Sequence, residues 1–126
     1  MTLVDTDILI WYLRGNTKAA KYLESLSFSI SAVTYKELVQ GMRNKEELQI
    51  LRATLKDWNI DTVHIDNSIS AKAMFYVEEH FLSHNLRLAD SLVAATAVSC
   101  GMDLATANIK HYKSIKELQL TPFKPK

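Results

Sequence analysis

Three carboxylates, Asp5, Glu37 and Asp90, and one amide, Asn108, are the side chains of this sequence whose types and positions could do chemistry together. Carboxylates gathered within a few ångströms repel, so without a cation such a group keeps some members protonated or stays wet. A hard divalent cation removes the conflict. Mg²⁺ prefers oxygen ligands, keeps several waters and takes one or two carboxylates directly, which suits Asp5 and Asp90 as ligands with Glu37 acting through water. Hydrolysis of a phosphodiester is the natural chemistry of that centre. His64, His80, His84 and His111 lack zinc-site spacing and are read as surface or satisfied core residues. No Gly-rich phosphate loop is present, so a nucleotide cofactor is not expected.

The elements that must position these groups follow from hydrophobic periodicity. Thr2 to Val4 reads as a strand stopped by Asp5, followed by a helix that ends at Gly15. Residues Lys18 to Leu26 read as a helix with Ala19, Tyr22, Leu23 and Leu26 inward, Phe28 to Ser31 as a strand, and Val33 to Met42 as a helix. Lys45 to Trp58 continues the helical region before a strand over Val63 to Ile65. A helix from Ser68 to Leu82 would hold Met74, Phe75 and Phe81 as core-stripe residues. Leu88 to Cys100 is Ala-rich and helical with Gly101 as its cap, Leu104 to Thr106 is a buried strand, and a last strand falls near Leu118 to Leu120. Alternating strands and helices predict an α/β fold, a three-layer α/β/α sandwich with a central, mostly parallel sheet. Such sheets carry their functional groups at the carboxyl ends of the strands. Asp5 follows the first strand, Glu37 lies early in the helix after the second, Asp90 opens the helix leading into the Leu104 strand, and Asn108 follows that strand. All four are expected at one edge.

With 126 residues and 48% hydrophobic composition, residues 1–126 make a single domain with one real core. A net charge of +1 demands no polyanionic partner, and the excess of Lys110, Lys113, Lys116, Lys124 and Lys126 over Glu117 reads as a solvated tail that could meet phosphate. Cys100 is alone, which excludes an intramolecular disulfide and predicts a buried apolar thiol in a reducing compartment. No basic leader and no bilayer-length apolar run is present, so a soluble, cytoplasmic protein is expected.

Each site residue also has a purely structural reading. Asp5 could cap the first helix, and Asp90 could be an N-cap. Thr34-Tyr35-Lys36-Glu37 has the form of a capping box, with Glu37 reaching back to the cap amide. Asn108 could be a turn residue and Thr106 a β-branched strand end.

Four segments carry a resemblance over Leu3 to about Phe123. Asp5-Thr6-Asp7-Ile8-Leu9 is similar to the D-T-[ND]-x-[LI] motif that ends the first strand of PIN-domain proteins, in particular the VapC-type toxins of bacterial toxin-antitoxin pairs. Ser31 to Gly41 is similar to the family's S-x-x-T-x-x-E-L-x-x-G, with Thr34 and the acidic Glu37 in register. Ala89 to Ala97 resembles the segment carrying the third acidic residue, Asp90, and Leu104 to Tyr112 resembles the closing motif with Thr106 and Asn108. The resemblance implies Mg²⁺- or Mn²⁺-dependent endonucleolytic cleavage of RNA by Asp5, Glu37 and Asp90, with Thr6, Thr34, Thr106 and Asn108 in support. It also implies inhibition by a cognate antitoxin, and a homodimer in which Trp11 and Tyr12, if exposed, could lie under a partner. Two positions depart: Asn108 stands where many PIN nucleases have an acid, and Asp7 where Asn is frequent. Two other readings stay open. One is a phosphatase of the haloacid-dehalogenase type using Asp5-Thr6-Asp7 with Asp5 as nucleophile, although Leu9 replaces its usual Thr. The other is a catalytically silent PIN-like module that binds RNA or protein.

Overall fold

A computed structural model describes residues 1–82 and 86–126, so the reading of His84 lies outside the described residues. Short apolar runs form strands, and a capping side chain switches the chain into the helix that follows. Thr2–Val4 is β1, and Asp5 then caps α1 (Thr6–Leu13) by accepting from the Thr6 amide. Asn16 caps α2 (Thr17–Glu24) through the Ala19 amide, and β2 (Phe28–Ser31) runs directly into α3 (Ala32–Gln40) with Ser31 as cap. The order continues with α4 (Lys45–Asp57), β3 (Asp61–Val63), α5 (Asn67–His80), α6 (Leu88–Ser99), β4 (Asp103–Thr106), α7 (Ile109–Tyr112) and β5 (Leu120–Pro122). Helices α1 and α6 release the chain through Gly15 and Gly101 at positive φ, a conformation glycine adopts without a Cβ penalty.

The strands form one sheet in the order β3-β2-β1-β4-β5, and all four pairings are parallel. The chain starts at the centre, builds outward to β3, then returns to lay β4 on the other side of β1. The resulting switch point lies between β1 and β4, where such sheets open a crevice at their carboxyl ends. Successive side chains alternate across the sheet. Leu3 and Leu104 enter a core with Ile69 and Ala73 of α5 and Val93 of α6, whereas Val4 and Ala105 enter a second core with Ile8, Leu38 and Leu55. The expected three-layer α/β/α sandwich is therefore the fold, with a wholly parallel sheet.

Several local expectations are corrected. The strand expected at Val63 to Ile65 lies at Asp61–Val63, because an edge strand with one half-exposed face need not be its most apolar stretch. The last strand falls at Leu120–Pro122, on the opposite edge, where Pro122 needs no ladder amide. On α5 the buried stripe is Ile69, Ala73 and Tyr76, which leaves Met74 and Phe75 exposed, and Phe81 beyond it is exposed as well. Cys100 is exposed, since it follows the buried run of α6 as its C-cap. Trp11 and Tyr12 are half-buried against the second core, the Tyr12 ring packing at a tilt on Trp58 with centroids 5.0 Å apart, so packing within the chain accounts for both. Among the described residues no helix is long and apolar enough to cross a membrane.

Candidate active site

The β1–α1 junction sets the first carboxylate. The Asp5 amide donates to the Ala105 carbonyl at 2.9 Å, continuing the β1–β4 ladder by one residue and fixing the direction of the side chain. Asp5 Oδ1 accepts from the Thr6 amide at 2.9 Å, while Oδ2 accepts from Thr106 Oγ1 at 2.9 Å and from Tyr112 Oη at 2.9 Å. Asp5 is thus both the expected cap and a member of the acidic site. It is 7% exposed, and burial together with the neighbouring Asp7 pushes its carboxyl up to about 7 against the lowering effect of its three donors.

Asp7 lies on the same edge. Its Oδ1 accepts from the Ile8 amide at 2.8 Å, and its Oδ2 accepts from the Ala107 amide at 2.9 Å and lies 3.3 Å from Thr106 Oγ1. Asp7 therefore ties the start of α1 to the turn after β4, and burial raises its pKa too. Thr106, fully buried, also accepts from the Asn108 amide at 3.0 Å. The Asn108 side chain makes no capping bond to α7 and the residue is exposed, so it stands at the rim.

Glu37 comes to the site through Thr6, whose Oγ1 donates to Glu37 Oε1 at 2.7 Å and lies 3.1 Å from Oγ1 of the buried Thr34. The capping-box reading is overturned: Ser31, not Thr34, caps α3, so Glu37 is the sixth residue of the helix, beyond reach of the cap amide. Asp90 is the third residue of α6 rather than its cap, with Oδ2 accepting from the Arg87 amide at 3.1 Å. His111 Nδ1 stands 3.4 Å from the same oxygen, so this histidine, read as surface or satisfied core, belongs beside the acidic group. Sequence reasoning also gave Tyr112 no role. Its hydroxyl lies 2.9 Å from Asp5 Oδ2 and 3.3 Å from Asp90 Oδ1, and burial beside those carboxylates raises its pKa far above the usual phenol value. The one sequence signal was an aromatic residue six positions after Thr106, on a turn too short to show periodicity.

Asp5, Asp7, Asp90 and Glu37 thus share one edge, linked through Thr6, Thr106 and Tyr112. Among the described residues no Lys or Arg stands within ion-pairing distance of them. No three Asp, Glu, His or Cys side chains among the described residues stand close enough to enclose an ion unaided. The donor set is oxygen-rich, open on the Glu37 side and in need of positive charge. It could hold a hard cation through Asp5 and Asp90, with water completing the shell toward Glu37.

The same fold occurs in known proteins. A family model described as PIN domain matches residues 2–117. Ribonuclease VapC10 of Mycobacterium tuberculosis is 34% identical over 124 residues, covering 94% of this chain and 91% of the relative. A solved toxin-antitoxin complex from Klebsiella pneumoniae contains a chain that is 26% identical with a TM-score of 0.81, covering 100% of this chain and 98% of that one. VapBC2 from Rickettsia felis, solved bound to a DNA fragment from their promoter, reaches a TM-score of 0.84 at 19% identity over 98% of each chain, a likeness of fold. The switch-point position of Asp5 and a match that runs unbroken from β1 to beyond α7 have one explanation, which is that this chain belongs to the PIN domain family and, within it, to the VapC group.

Proposed function

We propose that this chain is a divalent-metal-dependent endoribonuclease, the toxin of a toxin–antitoxin pair, acting through Asp5, Glu37 and Asp90. The observation that carries the reading is the buried, uncompensated Asp5 carboxylate, held by three donors at the β1–β4 switch point and joined to Asp90 through one hydroxyl. Mg²⁺, with Mn²⁺ as substitute, would supply charge for the scissile phosphoryl group and its leaving oxygen when bound. Asp5 and Asp90 would hold the ion, and Glu37, exposed and oriented by Thr6, would position water from the open side. Thr34 and Thr106 fix the donors around these carboxylates. Exposed Lys110 and Lys113, just past Asn108, would meet the RNA backbone without reading sequence.

A groove of about 620 Å³ begins at Glu37 and runs over Ile10, Leu13, Met42 and Ile50, with Arg14 and Arg43 on its walls. It suits an amphipathic segment of the cognate antitoxin that would cover Glu37. The phosphatase reading loses ground on the motif and the family: Leu9 stands where that motif has Thr, and the PIN domain model matches residues 2–117. Incubation of the purified chain, stripped of antitoxin, with total cellular RNA tests the proposal. Cutting at few sites with Mg²⁺ or Mn²⁺ and none in EDTA is the expected result; binding without cutting would favour the silent module. The cytoplasm, where RNA is accessible, is the compartment this activity requires.

The same reading includes a homodimer, for which exposed apolar side chains away from Trp11 and Tyr12 offer a surface. Met74, Phe75, Phe81, Leu82 and Leu88 are 56–73% exposed around the end of α5 and the start of α6. Apolar exposure of this kind marks interaction surfaces. Light scattering should give a dimer for the native chain and a monomer for Phe75→Glu; an unchanged mass would place the interface elsewhere.

A further inference from the structure

The short helix α7 delivers two neighbouring side chains to the acidic site, His111 beside Asp90 and Tyr112 between Asp90 and Asp5. Tyr112 is 1% exposed, its ring packed in the core of α5 and α6, and its hydroxyl is within hydrogen-bonding distance of Asp5 and Asp90 at once. Those two carboxylates come from distant elements, the end of β1 and the first turn of α6. No other described side chain stands within hydrogen-bonding distance of both. The phenol has one proton, and the 2.9 Å contact to Asp5 Oδ2 is its better bond. With Thr106 and Tyr112 both directed at Oδ2, and the Thr6 amide at Oδ1, the uncommitted lone pair of Asp5 is on Oδ1. The Tyr112 hydroxyl therefore decides which oxygen of Asp5 remains available and how near Asp90 stands to it.

We propose that Tyr112 is a positioning residue of the acidic site, its hydroxyl bracing Asp5 against Asp90 so that the pair is ready to take a divalent cation; this rests on the metal-dependent reading above. Partners that orient metal ligands from behind characteristically change affinity by about 10–100-fold when removed. The ring contributes to the core independently of the hydroxyl, so Tyr112→Phe isolates the brace.

The test is Mn²⁺ titration of the antitoxin-free chain followed by electron paramagnetic resonance, for the native protein and Tyr112→Phe, with thermal unfolding in EDTA alongside. The expected result is a folded Phe variant whose Mn²⁺ dissociation constant is raised about tenfold. Equal affinities within twofold in two folded chains would overturn the brace and leave the metal-dependent reading intact. Absence of Mn²⁺ binding by the native chain would overturn both. Loss of the folded state in Tyr112→Phe would also overturn the proposal, by making the hydroxyl a requirement of the fold rather than of the cation site.

Discussion

Asp5→Asn is expected to lower metal-dependent RNA cleavage by about a thousandfold or more while making the metal-free protein more stable at pH 8. The first effect follows from removing a charged ligand, since a cation's stabilisation of the transition state is worth several kcal/mol and each ~1.4 kcal/mol is a factor of ten in rate. The second follows from burial. In the folded chain Asp5 titrates near 7, against an ordinary 3.8, so between those values the folded state binds a proton that the unfolded chain has released. Stability must then fall as pH rises from about 4 to about 7 and level off above, and the raised pKa of Asp7 adds a slope of the same sign. Asn carries no charge to desolvate, and the Thr106 and Tyr112 hydroxyls can each turn from donor to acceptor to meet its amide. Thermal unfolding in EDTA at pH 5 and pH 8 should show a large difference for the native chain and a smaller one for Asp5→Asn. Identical slopes would mean that Asp5 is ionised at little cost, and the case for a cation at this edge would lose its main support. Loss of cleavage together with loss of stability at pH 8 would point to a structural role instead.

The readable parts of this molecule were those governed by a local period or a local cap. β2 has its predicted bounds because four consecutive buried residues meet a Ser cap. The carboxyl-edge rule expected Asp5, Glu37 and Asp90 at one edge of the sheet, where they lie, because it needs strand order only in outline. What escaped was set by tertiary partners. Nothing in Thr34-Tyr35-Lys36-Glu37 distinguishes a capping box from a helix already capped by Ser31, where Thr34 faces Thr6 across 28 residues of sequence. Tyr112 and His111 sit on a four-residue helix with no period to read, and their acidic partners lie 107 and 21 positions away. Met74 and Phe75 look like core in a one-dimensional stripe, but α5 buries only the face carrying Ile69, Ala73 and Tyr76. Apolar side chains left over once a helix has buried one face point to contacts outside the chain.

Leu104→Ala should separate the scaffold from the chemistry it holds. Leu104 is fully buried on β4, paired with Leu3 on β1 and Leu120 on β5, and faces Val93 and Ala94 in the core under α5 and α6. Truncation removes three buried carbons and leaves a cavity that a parallel strand fixed on both sides cannot collapse into, so a cost of about 3 kcal/mol is expected. Against a total of roughly 5–15 kcal/mol for a domain of this size, that lowers the urea midpoint substantially at an unchanged slope. Ile50→Ala, at 60% exposure on α4, should cost less than about 0.5 kcal/mol and serves as the control. Cleavage at low temperature, where the variant remains folded, should stay within a few-fold of native. The carboxylates are fixed by Thr6, Thr106 and Tyr112 at the strand ends, and Leu104 points into the opposite side of the architecture from the groove beside Glu37. If the folded Leu104→Ala chain lost activity in parallel with stability, the position of Thr106 would depend on core packing beneath β4. The hydrogen bonds at the sheet edge would then be a consequence of that packing and not the cause of the site's geometry.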